Sequence, residues 1–250
     1  MTGMPRKVLG YVGAMVVLLA GWWLVALAVG SPALPGPVAA ISSFVANWPD
    51  IWPEILVSTA RVLAAMAIGT ALAVPLGLVL GRAARADAVA APLIFLTYPI
   101  PKVVFLPVLL VLFGIGNLPK IALIALIVFF QILVTARDAS KAVPEGSVLS
   151  VRSLGATRLD IYRHVIVPAS LPDIFTALRI GTGTAIAVLF LAETTAGSDG
   201  IGYYIGDAWG RIDYPGMFAA IIGMALLGVA LYEALDALEA ATTRWRRAAH

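Results

Sequence analysis

Nearly uncharged runs, each about the length of a bilayer-crossing helix, recur along this chain. They are Val8–Val29, Val57–Leu80, Ala88–Phe113, Leu118–Thr135, Phe175–Ala192 and Tyr214–Leu235. About 20 apolar residues carry a helix across the hydrocarbon core. In lipid every backbone N–H and C=O must be satisfied within the protein, so isolated runs of this kind must be helices. Composition agrees: 61% of residues are hydrophobic and 12% charged, against roughly 25% charged in soluble domains. The prediction is an all-α membrane protein, one transmembrane domain over residues 1–250. A first span covers 8–29, core spans lie within 57–235, and a polar loop occupies 145–168. The third run holds Pro92, Pro99, Pro101 and Pro107, so it must break or re-enter near "TYPIPK". The count is six spans, or five if that region does not cross. The first run exceeds the ~7–15 residues of a signal-peptide core and is read as a retained helix.

Charge gives these spans a direction. Cations cluster in alternate connections: Arg6 and Lys7; Arg82 and Arg85; Arg137, Lys141, Arg152, Arg158 and Arg163; and Arg244, Arg246 and Arg247. The remaining connections carry Asp50, Glu54, Asp199, Asp207 and Asp213 against the single Arg211. The positive-inside rule therefore puts both termini and the 145–168 loop in the cytoplasm. Trp48, Trp52, Tyr203, Tyr204 and Trp209 fall at the outer interface and Trp245 at the inner one, as aromatic belts do.

Several functions are excluded. The chain has no cysteine and only two histidines, His164 and His250, so disulfides, thiolate metal sites and the usual zinc sites are ruled out. No basic tract interleaved with aromatics points to nucleic acid. No paired acids or Ser/His arrangement in the spans suggests an intramembrane enzyme. No phosphate-binding G-x-x-x-x-G-K-[ST] loop occurs, since "GTGTAI" lacks the lysine. No internal repeat is visible, so the inverted-repeat signature of many secondary transporters is missing.

The loop "SVLSVRSLGATRLDIYRHVIVPASLP" is the one semi-polar insert among the apolar runs. Pro144 and Glu145 suit a helix start, giving a first short helix from Glu145 to Leu154. Gly155 ends it in the left-handed conformation glycine allows. Thr157 is an N-cap and Asp160 stands at the third position, a relative of the capping box. A second helix then runs to about Val165, before Pro168. The insert is too small for a core of its own. It is either an amphipathic loop on the membrane surface or a docking knob for a cytoplasmic partner.

This insert resembles the EAA loop of ABC-importer permeases, the binding-protein-dependent transport family. That loop has the form of an EAA triplet, three residues, a glycine, nine residues and then I-x-L-P. Here Gly155 is the glycine, and Val165, Ile166, Val167 and Pro168 close the pattern. The triplet itself reads Leu149, Ser150, Val151. Three further stretches are similar to the nitrate, sulfonate, taurine and bicarbonate branch: "STARVLAAMAIGTALAVPLGLVLG", "PIPKVVFLPVLLVLFGIGNLPKI" and "LAETTAGSDGIGYYI". The resemblance spans residues 34–247 in order. It implies a type I ABC-importer permease fold and a non-catalytic subunit of the bacterial inner membrane. The implied partners are a second permease copy, two cytoplasmic ATPases holding ATP and Mg, an extracytoplasmic binding protein and membrane lipid. No cofactor is expected on this chain. The implied coupling residues are Leu149, Val151, Arg152, Ser153, Leu154, Gly155, Ala156, Thr157, Asp160 and Tyr162. With the family's acid missing, the grip on the ATPase should be apolar rather than ionic.

Candidate pathway or gate residues are Tyr98, Pro101, Lys102 and Glu193. A carboxylate at membrane depth usually faces a bundle interior or wet cavity. Glu193 is therefore a gate residue, or an interfacial acid satisfied by Thr194, Thr195 or a neighbouring chain. Lys102, where the third run breaks, either attracts an anionic solute or snorkels or pairs with Glu193. The outer "GSDGIGYYIGDAWGRIDYP" is read as an interfacial helix that can also meet a docked protein. Branch similarity favours a small anion such as sulfonate, taurine, nitrate or bicarbonate. A heterocyclic vitamin precursor, or a self-sufficient secondary transporter, remains the alternative.

Overall fold

A computed structural model describes residues 4–243, with side chains from 10 to 243. The cations of Arg6, Lys7, Arg244, Arg246 and Arg247, and Trp245, lie outside the described side chains. All regular structure in the described region is helical. In order it comprises α1 (Met4–Val29), α2 (Pro37–Ala46), α3 (Trp48–Arg82) and α4 (Ala84–Thr97). A 3₁₀ turn at Lys102–Phe105 leads into α5 (Leu106–Phe113), followed by α6 (Asn117–Ala142), α7 (Glu145–Ser153) and α8 (Arg158–Ile161). A π-helical turn at Tyr162–Ile166 opens α9 (Val167–Ala196), and α10 (Ile201–Gly210) and α11 (Tyr214–Thr242) end the described chain.

Among the described residues, five helices are long and apolar enough to cross a membrane: α1, α3, α6, the run through α9, and α11. The third apolar run is bent by 82° between α4 and the Lys102–Phe113 segment, and counting that pair as one span makes six. Pro99 and Pro101 remove two backbone donors in succession there, and no helix continues through them.

The helices reach beyond the runs that hydropathy marks. α3 begins at Trp48 rather than Val57, and α11 continues past Leu235 to Thr242. Hydropathy reads depth in lipid, whereas helix ends follow caps and propensity. Pro49 sits in the first turn of α3, where a missing N–H costs nothing. The last turns of α11 are built from Ala, Leu and Glu, all strong helix formers.

The centre of the bundle is the seam between α3 and α6. Lipid tails are as apolar as Leu, so close packing rather than water exclusion must hold such helices together. Gly69, Ala73, Gly77 and Gly81 recur every fourth residue on α3 and let the backbones meet. A Cβ at Gly77 would come within 2.7 Å of the Ala136 Cβ, and one at Gly81 within 2.7 Å of the Ser140 Cβ. Ser140 Oγ donates to the Leu78 carbonyl at 2.8 Å across the seam. α9 packs on the other side of α6 through Phe175, Leu178, Ala185 and Leu189. A separate apolar cluster joins α10 to α3 and α11 through Ile51, Ile55, Ile201, Ile205, Ala219 and Ala220.

The first helix stands apart from this core, and its apolar side chains are mostly exposed. It is tied down by Trp22, whose indole N–H donates to the Pro35 carbonyl at 3.1 Å and whose ring stacks on Phe218 at 5.6 Å.

Candidate functional site

Three polar assemblies among the described residues hold the candidate residues named from the sequence. The first is the elbow between α6 and α9. Glu145 opens α7 and Pro144 precedes it. Gly155 has φ +86°; its N–H donates to the Arg152 carbonyl at 2.9 Å and that of Ala156 to Val151 at 3.4 Å, closing the helix. Thr157 and Asp160 form a reciprocal capping box. The Thr157 N–H donates to the Asp160 carboxylate at 2.9 Å, and the Asp160 N–H donates to Thr157 Oγ1 at 3.2 Å. The Thr157 hydroxyl, and then its backbone N–H, hold the Asp160 carboxyl below its ordinary value.

The second half of the elbow departs from expectation. The helix does not stop at Val165; it passes through the π-helical turn at Tyr162–Ile166 directly into α9. Pro168 lies in the first turn of α9, and the widened turn before it takes up the missing N–H and the ring. The elbow's second arm is thus the first part of a membrane helix.

Val148 and Ile161 turn inward. With Val79 and Arg82 of α3, Arg152, Arg158 and Tyr162 they border a cavity of ≈ 550 Å³. Arg82 Nη1 donates to the Val143 carbonyl at 3.2 Å, pinning α3 to the start of the elbow. Leu149 stands at the rim of that cavity with 52% of its surface exposed, and Leu154 and Leu159 face outward, Leu154 with 87% exposed. Arg152, Ser153, Gly155 and Thr157 are exposed beside them, and Val151, Ala156, Asp160 and Tyr162 are half-buried.

The second assembly is the break between α4 and the 3₁₀ turn. Lys102 Nζ donates to the carbonyls of Thr97 at 2.7 Å and Tyr98 at 2.5 Å. It lies 5.2 Å from the Tyr98 ring centre and 4.8 Å from that of Phe130. The ammonium therefore caps the negative end of α4 between two aromatic faces. Tyr98, Pro101 and Lys102 share an open cavity of ≈ 330 Å³ with Phe130, Gln131 and Thr184. Gln131 Oε1 is buried with no hydrogen-bond partner among the described residues.

Glu193 does not belong to this cavity and does not pair with Lys102. It anchors the third assembly, at the end of the bundle that carries α10. Arg61 Nη1 donates to Glu193 Oε1 at 2.6 Å. Ser58 Oγ lies 2.9 Å from both carboxylate oxygens, and the Gly202 N–H donates to Oε2 at 2.9 Å. Thr194 bonds instead to the carbonyls of Phe190 and Gly202. Arg61 also donates from Nε to Asn117 Oδ1 at 2.7 Å, from Nη1 to the Asp199 carbonyl at 3.1 Å, and from Nη2 to Asp199 Oδ1 at 2.5 Å. Lys120 stands 3.6 Å from the same Asp199 oxygen. Arg61, Lys120 and Glu193 are all essentially inaccessible, while the Asp199 side chain is 45% exposed. Partial burial pushes the Asp199 carboxyl up, but the hydrogen bond and charge of Arg61, with Lys120, outweigh it and leave it below its ordinary value.

The segment 197–202 is shaped to clasp this node. Gly200 has φ +98°, and a Cβ there would strike the Glu193 carboxylate and the Arg61 guanidinium. Its N–H donates to the Glu54 carboxylate, and that of Ile201 to Ser58 Oγ at 2.9 Å.

Comparison with known proteins settles what kind of chain carries these features. The family described as the binding-protein-dependent transport system inner membrane component matches residues 73–244. The chain belongs to this family.

Among relatives of this permease, the taurine transport system permease protein TauC of Escherichia coli (strain K12) is 31% identical, over 97% of this chain and 91% of that one. The formylaminopyrimidine transport permease protein ThiX of Halalkalibacterium halodurans is 28% identical, over 92% and 93%. An inward-facing structure of the MetNI methionine ABC transporter superposes with a TM-score of 0.65 at 21% identity, covering 77% of this chain and 97% of that one. The permease thus has the all-α fold of ABC-importer membrane subunits, and its family is one of transport components rather than enzymes.

Sequence reasoning isolated Glu193 but missed its partners. Arg61 lies inside "STARVLAAM" and Lys120 inside "NLPKIALIAL". The rule that marks an intramembrane carboxylate as functional applies equally to intramembrane cations. A search for opposite charges among the spans would have paired them.

Proposed function

We propose that this permease lines the solute pathway of an ATP-driven importer and is driven through the elbow at 145–168. In this reading two copies form the pathway, each elbow seats on one cytoplasmic ATPase that holds ATP and Mg, and an extracytoplasmic binding protein delivers the solute. The observation that carries this is the elbow: a capped two-helix knob with Leu149, Leu154 and Leu159 exposed. A chain with no phosphate loop of its own has a reason to offer such a surface to an ATPase. Where the family has an acid, Leu149 presents an alkyl chain, so the contact is apolar and Arg152 and Arg158 flank it. ATP-driven closure of the ATPases then moves each elbow, and α9 moves with it because the π-helical turn joins them without a loop.

Charge supports cytoplasmic termini: Arg82, Arg137, Lys141 and the elbow arginines gather at one end of the bundle, and Asp50, Asp207 and Asp213 at the other.

For the solute, a small anion such as taurine or another sulfonate fits the likeness to TauC and the ammonium of Lys102 beside the ≈ 330 Å³ cavity. The likeness to ThiX favours a second reading, a heterocyclic vitamin precursor stacked on Tyr98 and Phe130. The test is reconstitution in liposomes with the ATPase and binding protein. Uptake that needs ATP and both partners is expected. Uptake by the permease alone, driven by an ion gradient, would overturn the proposal.

A further inference from the structure

The charges of the Arg61 node balance in an unusual way. Glu193 is the fixed partner of Arg61, held by Ser58 and the Gly202 N–H as well. That leaves one more buried cation, Lys120, which is 1% exposed. Its only salt-bridge partner among the described residues is Asp199, at the long distance of 3.6 Å, and its ammonium makes no hydrogen bond among them. The neutralising carboxylate thus sits on a short loop between Gly197 and Gly200, and its side chain, like that of Asn117 beside it, is open to solvent. If the loop lifts away, the two buried cations keep only Glu193 in direct contact, since Glu54, which held the Gly200 N–H, makes no salt bridge with either among the described residues. A buried charge without a partner is strongly disfavoured, so the loop can leave only if another anion takes the place of Asp199.

We propose that Arg61 and Lys120 form a binding site for a small oxyanion of the sulfonate or carboxylate class, with Asp199 as its built-in, displaceable occupant. Binding of the free anion releases the 197–200 loop from α3 and α6. The geometry suits an oxyanion: Arg61 Nη2 and Lys120 Nζ converge on the single oxygen Asp199 Oδ1, and a guanidinium beside an ammonium presents several donors to a planar or tetrahedral group. Lys120 lies in the first turns of α6, so the positive end of that helix adds to the attraction. Release of the loop also frees Ile201, which is wholly buried against Ile51 and Ile55 and whose N–H is held by Ser58. The outer end of the bundle would then loosen in response to anion. This site is distinct from the cavity at Lys102 and does not depend on which solute crosses the membrane.

The absence of cysteine makes the test direct. An Ile201→Cys permease, purified into lipid nanodiscs, is labelled with a water-soluble maleimide while sodium methanesulfonate replaces sodium chloride at constant ionic strength. The labelling rate should rise and saturate with methanesulfonate, and the rise should vanish when Lys120→Met is added. A second arm uses Asp199→Asn with the native Ile201. Its site lacks the tethered carboxylate, so methanesulfonate at a hundredfold excess over Kd should raise its melting temperature by about 5 °C. The Lys120→Met/Asp199→Asn protein should show no such shift. A labelling rate indifferent to methanesulfonate, or an equal rise with Lys120→Met, would overturn the proposal even if Asp199→Asn fails to fold. So would transport studies that leave the importer reading intact while both arms show no anion response.

Discussion

Gly155 turns the elbow with φ +86°, and a side chain added there would meet nothing within 4 Å. The cost of replacing it is therefore purely conformational. Gly155→Val should strain the turn by about 1–2 kcal/mol and detach or uncouple the ATPase while the permease stays in the membrane. Gly155→Asn, which visits the left-handed region more readily, should retain more coupling; co-purification and ATP-dependent uptake measure both. Glu193 makes the opposite case, since its environment rather than its backbone fixes it. Glu193→Leu alone leaves the buried Arg61 and Lys120 to share the single Asp199 carboxylate and should cost about 3–5 kcal/mol, whereas Glu193→Leu with Arg61→Met should recover much of that loss. Thermal unfolding in detergent distinguishes the two, and a double variant no better than the single would contradict the pairing. Lys102→Ala should fray the end of α4 as well as alter any anion affinity, because its ammonium holds two carbonyls. These roles were unequally legible in the sequence. Gly155 and Thr157 are local signals, complete within a few residues. The bond from Arg61 to Glu193 joins residues 132 positions apart, and no periodicity reports such a distance.

At the scale of elements, hydropathy located each spanning helix but not its ends. α3 and α11 continue as helix well past the lipid-soluble stretch, and the 82° bend in the third run was signalled by its prolines without a direction. The small-residue line on α3 was legible only as composition until α6 was seen against it. Gly77→Leu places a branched chain where even a Cβ meets Ala136 and the Leu133 carbonyl at 2.7 Å. It should force α3 and α6 apart, lowering both thermal stability and assembled complex, while Gly183→Leu on α9, where a Cβ meets nothing, should be far milder. The capping box allows a sharper measurement. Thr157→Ala removes an N-cap and should cost about 1 kcal/mol. The Asp160 carboxyl is lowered in the fold from an ordinary 3.8. Its contribution is therefore fully present above that value and lost as pH falls through the lowered one. The elbow should loosen only in strong acid, visible as a loss of amide protection at Arg158 to Ile161, and Thr157→Ala, which keeps only the backbone N–H to Asp160, should shrink that pH step.

For the whole molecule, the long helices matter more than any one site. A 35-residue α3 measures about 50 Å, against a hydrocarbon core of about 30 Å. One continuous helix, with Pro53 and Pro75 inside it, thus carries Glu54, Ser58 and Arg61 at one end and Val79 and Arg82, beside the elbow cavity, at the other. Mechanically it is a lever, with the tight glycine seam against α6 as its fulcrum. Pivoted at that seam, a tilt of about 5° displaces Arg61, about 20 Å away along the helix, by about 2 Å, enough to carry its contacts with Glu193 and Asp199 beyond hydrogen-bond range. In the proposed coupling, a push delivered at the elbow would arrive at the opposite face as a stroke long enough to break ionic contacts there, and an anion that broke them first would lower the force the ATPases must supply.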